Sequence, residues 1–280
     1  MRKIAILLFG ILSMSFLVFQ GCEDNPTGTD SGTINPSQDK GRVQVHAMDT
    51  PIVGSVSEVN LHVKQVSIHR ADTSANDSTS GWITIANTDT VINFLELING
   101  ETTVLADTLL APGHYTQLRL LLDSDNTIVV DGVELPLTIP SGTQTGVKLN
   151  LDFNIEANQV YQVYLDFNAS QSIHQRGNIG GFIMRPTFRV FMHDISGTIS
   201  GTVSDTLGDP INHASVYAVQ NTDTTATLTD STGQYKMILE EGTYNISAEL
   251  EHYISVDTSY SNVEVNADDE LTGYDFTFIQ

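Results

Sequence analysis

The chain has 280 residues, 34 Asp and Glu against 12 Lys and Arg, a formal net charge of −22 and a single cysteine. A surface this acidic repels nucleic-acid phosphates and anionic lipid headgroups, and there is no Lys/Arg cluster, so nucleic acid is excluded as a partner and electrostatics do not hold the chain on a membrane. One cysteine leaves no intramolecular disulfide, so stability rests on ordinary apolar cores.

Met1, Arg2 and Lys3 give a short basic start, and an apolar run from Ile4 to Phe19 is broken only by Gly10, Ser13 and Ser15. A spanning helix needs ~20 apolar residues. A basic start, a shorter apolar run and a small residue before a cut describe a secretory signal peptide over residues 1–21. Gly21 followed at once by the lone Cys22 resembles a bacterial lipobox. The resemblance implies cleavage before Cys22 and acylation of its thiol and its new amine. Each buried CH2 contributes about 0.8 kcal/mol, and several chains together anchor a protein for practical purposes permanently. The membrane is therefore a partner through lipid on Cys22, and the expected location is a bacterial cell envelope, at the outer membrane, facing either periplasm or surface.

Residues 22–41 form the lipidated tether. Glu23 to Gly41 holds Pro26, Pro36, several Gly, Ser and Thr, and one aliphatic residue, Ile34. Such a segment buries too little surface to offset its ordering entropy and is read as flexible. Fully extended it reaches roughly 60 Å at ~3.3 Å per residue.

From Arg42 onward the hydrophobic period is two. Val59, Leu61 and Val63 are followed out of phase by Val66 and Ile68, which requires an inserted residue and places a bulge near Lys64-Gln65. Phe94 to Leu110 fits no clean strand and reads as a short helix or turn. Leu118, Leu120 and Leu122 point one way, Gln117, Arg119 and Asp123 the other. Asp131-Gly132, between Thr127–Val130 and Val133–Leu137, is a tight-hairpin signature. Val147, Leu149, Leu151, Phe153 and Ile155 alternate with polar residues, as do Tyr161, Val163, Leu165 and Phe167. Around His193 the strands pause, and a second unit begins at Ser196 with its own turns and with strands such as Tyr244–Leu250 and Tyr274–Phe278. The expected architecture is all-β: two antiparallel β-sandwich domains in tandem, residues 42–193 and 196–280.

Two stretches carry family resemblances. Gly201-Thr-Val203, Asp205, Gly208, Pro210-Ile211, Ala214, Val216, Thr229-Asp230, Gly233, Tyr235, Gly242-Thr-Tyr244, Ile246 and Ala248 resemble the carboxypeptidase regulatory-like domain, a small transthyretin-like sandwich. His252-Tyr253 stands where that family often has Gly-Tyr. The resemblance implies a non-catalytic accessory module, grouped with carbohydrate-binding-like folds, and assigns no sugar site. Gly41-Arg-Val43, Val66-Ser-Ile68-His69, Gly81-Trp82, Phe94-Leu95, Leu110-Ala-Pro-Gly113-His-Tyr115-Thr-Gln-Leu118-Arg119, Val130-Asp-Gly132, Ser141-Gly142, Gly146-Val-Lys-Leu149, Asp166-Phe167 and Arg185-Pro186 resemble a domain of unknown function found in bacterial lipoproteins. That likeness implies an envelope location and no activity.

No residue pattern reaches a catalytic, cofactor or metal site. His62 and His69 are seven apart, about 23 Å along a strand, and the spacings His-x-His and His-Glu-x-x-His are absent. Asp123-Ser-Asp125 begins like a calcium loop, but Thr127 and Ile128 fall where a ligand and a glycine are required, so a polar loop is expected. There is no Gly-x-Ser-x-Gly elbow. Trp82 is expected to be buried beside Ile83 and Ile85. Gln162, Tyr164 and Asp166 project from one face of a strand and are the tentative glycan contact; the plainer reading is a cross-strand aromatic pair on a solvated sheet face. The function expected is non-catalytic binding to an envelope protein or extracellular ligand, of the adhesion or assembly kind. A carbohydrate-binding lipoprotein is the alternative and a hydrolase a distant one.

Overall fold

A computed structural model describes residues 39–52, 55–71, 81–140, 146–177, 181–250, 254–255 and 259–279. The expected signal peptide, Cys22, nearly all of the expected tether and the His252-Tyr253 pair lie outside the described residues.

Among the described residues thirteen strands precede residue 193: β1 (Gly41–Thr50), β2 (Val56–Arg70), β3 (Trp82–Ala86), β4 (Thr90–Asn93), β5 (Thr103–Leu110), β6 (Gly113–Leu122), β7 (Thr127–Val130), β8 (Val133–Thr138), β9 (Val147–Ile155), β10 (Val160–Asn168), β11 (Ile173–Gln175), β12 (Phe182–Met184) and β13 (Phe188–Met192). Nine follow: β14 (Ser196–Asp205), β15 (Ser215–Gln220), β16 (Asp223–Leu228), β17 (Gln234–Glu240), β18 (Gly242–Glu249), β19 (Ile254–Ser255), β20 (Ser259–Val265), β21 (Glu270–Leu271) and β22 (Phe276–Ile279). The fold is all-β. In the first group a four-stranded sheet, β13-β10-β1-β5, packs on a nine-stranded one that runs β11-β12-β8-β7-β2-β6-β9, with β3 and β4 also paired to β2. In the second, β17-β14-β22-β19, with β21 on β14, packs on β16-β15-β18-β20. Most pairs are antiparallel, and four are parallel: β1/β10, β12/β8, β14/β21 and β14/β22.

Each sandwich has its own core. Val43, Val45, Leu61, Ile68, Leu118, Leu120, Val163 and Phe167 are among the side chains that close the first. Ile199, Val216, Tyr235, Leu239, Tyr244, Ile246 and Phe278 are among those that close the second. Buried phenols are anchored on backbone carbonyls: Tyr235 donates to Tyr274 O at 2.6 Å and Tyr244 to Glu240 O at 2.8 Å. Burying an aromatic body without orphaning its hydroxyl requires such an acceptor.

Local chemistry explains most of the elements. In β9 Leu149, Leu151 and Ile155 are buried while Lys148, Asn150, Asp152 and Asn154 are exposed. Asp131 and Gly132 take φ of 50° and 74° between β7 and β8, the pair of left-handed residues that a two-residue hairpin needs to match strand twist. On β2 the pairing with β6 shifts between Val63 and Gln65. Lys64 is the inserted residue, and the buried set changes parity there, from Val59, Leu61 and Val63 to Val66 and Ile68.

Two expectations are corrected. Asn93 caps a single 3₁₀ turn at Phe94–Glu96, its side chain accepting from the Leu95 N–H, but Thr103–Leu110 is the edge strand β5. Its alternation is obscured because the β1 register shifts between Val45 and His46, so that Leu105 and Ala106 are both buried. Trp82 is not buried beside Ile83 and Ile85: it is half-buried on the outer face of the large sheet, under the Arg119 guanidinium, and Ile83 is exposed.

Candidate functional site

Gln162, Tyr164 and Asp166 occupy alternate positions on β10, opposite the face that sends Val163, Leu165 and Phe167 into the first core. β1 and β13 flank them, with His46 beside Tyr164 in parallel register and Phe191 across from it in β13. The Tyr164 ring lies 5.4 Å from Phe191, 5.5 Å from His46 and 5.9 Å from His193. Gln162 donates to Gln44 Oε1 at 3.2 Å. Asp166 accepts from Thr50 Oγ1 at 3.1 Å and from Arg189 Nη2 at 2.8 Å.

This face is partly open at Gln162 and closed at the other two positions. Tyr164 is 8% exposed and Asp166 3%. What covers it is the second sandwich. β17 sends Tyr235, Met237 and Leu239 into its own core, and Ile238 points the other way, yet Ile238 is only 8% exposed. It packs with Met48, Tyr164 and Phe191 in a small apolar cluster of its own. The tentative glycan contact is therefore corrected: the cross-strand aromatic pair exists, but it forms the seam between the two sandwiches, and no free ring face remains for a sugar at Tyr164.

A polar latch closes the same junction. Asn99, at φ 59°, donates its N–H to Thr227 Oγ1 at 2.8 Å and accepts the Lys236 N–H on its Oδ1 at 2.5 Å. Thr227 belongs to β16 and Lys236 to β17, edge strands of the two different sheets of the second sandwich. One side chain from the first sandwich thus covers backbone on that side of the second.

Buried titratable groups lie at the seam and, in Asp49, on the opposite, core-facing side of β1, level with Phe167. Asp49 is 3% exposed, and neither carboxylate oxygen has a hydrogen-bond partner. Burial pushes its pKa well above the usual carboxylate range, and the neighbouring Asp166 charge adds to this; the Ala169 amide pulls the other way without reaching hydrogen-bonding geometry. Burial also raises Asp166, against the opposing pull of Arg189 and Thr50. His46 is lowered by burial and by the proximity of His193, and both its ring nitrogens lack partners.

Three other histidines are engaged with protein. His62 bridges Asp125 at 2.7 Å and Asp89 at 3.1 Å, and its pKa is raised by those carboxylates, Asp125 first. His69 contacts Thr116 Oγ1 at 3.0 Å, and His114 pairs with Asp152. In the loop that opens like a calcium site, Asp123 is bound by Lys64 at 2.8 Å while Asp125 is bound by His62. Among the described residues no group of three His, Cys, Asp or Glu side chains is placed to hold a metal ion.

Two stacked all-β sandwiches joined by an apolar seam define the class of protein. The chain belongs to the family described as a domain of unknown function, DUF4382, which it matches over residues 40–186. A carboxypeptidase regulatory-like domain follows over residues 198–278. No curated protein matches the chain. Among solved structures it is similar to the Bacillus anthracis TIE protein, at 10% identity and a TM-score of 0.28, covering 86% of this chain and 34% of that one. It is also similar to the shaft pilin SpaA of Lactobacillus rhamnosus GG, at 10% identity and a TM-score of 0.23, covering 86% and 97%. A third is GBS52, the minor pilin of Streptococcus agalactiae, at 10% identity and a TM-score of 0.25, covering 85% and 95%. The chain thus spans about a third of the TIE protein, and at these scores no function passes from any of the three.

Proposed function

We propose that the chain is a lipid-anchored protein of a bacterial cell envelope with a non-catalytic binding role, of the adhesion or assembly kind, engaging an envelope protein or extracellular ligand. The observation that supports this most is the seam. Ile238 beneath Met48, Tyr164 and Phe191, with Asn99 latched on β16 and β17, couples the two sandwiches into one stiff body. A stiff body at the end of a tether that extends roughly 60 Å suits the holding of a partner at a distance from the membrane.

The edges suggest how a partner attaches. An open edge presents unpaired N–H and C=O groups to which a partner strand can add. On the second sandwich the β16/β17 side is occupied by Asn99, and β20 is broken by a register shift against β18 and by Asn262 at φ 56°. β9, nine residues long and paired only to β6, is the longest edge strand among the described residues. The test has two parts. Labelling of cells with an alkynyl fatty acid should tag the wild-type protein and not Cys22→Ala. A photo-crosslinking residue at the exposed position Asn154 should yield one discrete adduct on intact cells. An untagged wild type refutes the anchor. Failure to crosslink from Asn154 and from exposed positions of β20 refutes partner capture by an edge.

A further inference from the structure

The outer face of the large sheet gathers two cations that no carboxylate among the described residues neutralises. Arg119 on β6 and Lys148 on β9 stand directly opposite each other, a placement that like charges disfavour. Neither forms an ion pair among the described residues, although the chain carries 34 acidic side chains. Trp82 is what they share. The Arg119 guanidinium lies 4.5 Å from the ring centroid and the Lys148 ammonium 5.9 Å, with His69 packed edge-on at 5.2 Å. Both cations are within the range at which an indole face attracts a positive charge.

Arg119 is held for this. Its stem passes over Gly146, where a Cβ would come within 2.9 Å of Arg119 Cγ and 2.8 Å of the Leu120 carbonyl oxygen, and where φ is +69°. A guanidinium stacked on a ring keeps its N–H groups free in its own plane, the geometry that receives a carboxylate in bidentate fashion. Beside it Gln117 and Asn150 face each other in register and are linked at 3.4 Å, with exposed Thr84 on the same sheet.

We infer that this face binds an acidic saccharide, the carboxylate of a hexuronate lying between Arg119 and Lys148 and its hydroxyls meeting Gln117, Asn150 and Thr84. Charge complementarity selects an anion in an otherwise acidic molecule. Amides and a hydroxyl beside an aromatic ring, in the middle of a sheet face, fit a sugar better than an acidic peptide, which would take the backbone edge. The inference goes beyond the binding of a protein by β9 and stands or falls without it.

Trp82 is the only tryptophan, so its emission reports on the site. The full chain without its signal peptide is titrated with trigalacturonate at low ionic strength, with maltotriose and inorganic phosphate as controls. The expected result is a saturable change for trigalacturonate, tighter than for either control. Losing one hydrogen-bonded charge implies that Arg119→Gln and Lys148→Gln each weaken it by about tenfold or more. Arg176→Gln, altered at an exposed residue beyond β11, should bind as the wild type does. No saturable change, equal affinity for phosphate or maltotriose, or undiminished binding by both site variants overturns the inference. Lys148 is exposed, so its substitution keeps the test valid should Arg119→Gln disturb folding.

Discussion

Replacing Ile238 with alanine removes side chain from the seam and none from the core of the second sandwich, because its neighbours Tyr235, Met237 and Leu239 are the residues of β17 that fill that core. Three carbons are deleted, about 2.4 kcal/mol at ~0.8 kcal/mol per buried methylene. That sits at the low end of the 2–5 kcal/mol range for isoleucine truncation, as expected where two bodies can partly settle over the gap. The loss falls on contact between sandwiches, so it should appear as reduced coupling. Calorimetry of the wild type should show one cooperative transition, and Ile238→Ala should split it or lower the part belonging to the second sandwich. For a unit of that size one kcal/mol corresponds to about 4–8 °C, so a displacement of about 10 °C or more is expected. A single transition within about 2 °C of wild type would show that Ile238 contributes little to holding the sandwiches together.

Three further outcomes follow from the same geometry. Asn99→Ala keeps the backbone N–H that bonds Thr227 but removes the Oδ1 that accepts the Lys236 N–H, and should cost about 1 kcal/mol, read as a lower urea midpoint with an unchanged slope; an unchanged midpoint would mean that this half of the latch contributes nothing. Asp49 has a pKa raised on folding, so its contribution is fully present below the unfolded carboxylate pKa and is lost as pH rises through the folded one. Asp49→Asn abolishes that loss, and the variant should gain on wild type by about 1 kcal/mol or more between pH 4 and pH 8, whereas parallel curves would contradict the burial of an unpartnered carboxylate. Gly132→Val places a branched side chain at φ 74° and should destabilise the β7/β8 hairpin by at least about 1 kcal/mol, visible as faster amide exchange in β8; unaltered exchange would count against the turn.

What could be read from the sequence was set by neighbours along the chain. The β9 alternation, the Asp131-Gly132 hairpin and the inserted Lys64 each follow from a rule spanning a few residues, and each is present. What could not be read depends on distant partners. Tyr164 and Asp166 look like outer-face residues because their strand alternates; Ile238, more than seventy residues later, packs over Tyr164, and Thr50 and Arg189 engage Asp166. Trp82 looks like core because it adjoins two isoleucines, and the cations that hold it lie on β6 and β9. In β5 the alternation is hidden by a register shift against β1. Asp49 and His46 attract no notice in sequence, since a lone Asp or His in a strand carries no pattern, and their significance lies wholly in burial without partners. A strand of alternating apolar residues with an aromatic on its outer face, followed by a second domain, is the one sequence-level sign that could have pointed to the seam.

We propose that lipid on Cys22 holds a stiff pair of sandwiches to the envelope. External protease applied to intact cells expressing wild type and Cys22→Ala, followed by blotting of membrane and soluble fractions, tests it directly. Wild type is expected in the membrane fraction, with its two sandwiches released together as one fragment where protease reaches them, and Cys22→Ala in the soluble fraction. Wild type and Cys22→Ala found in the same fraction would contradict it.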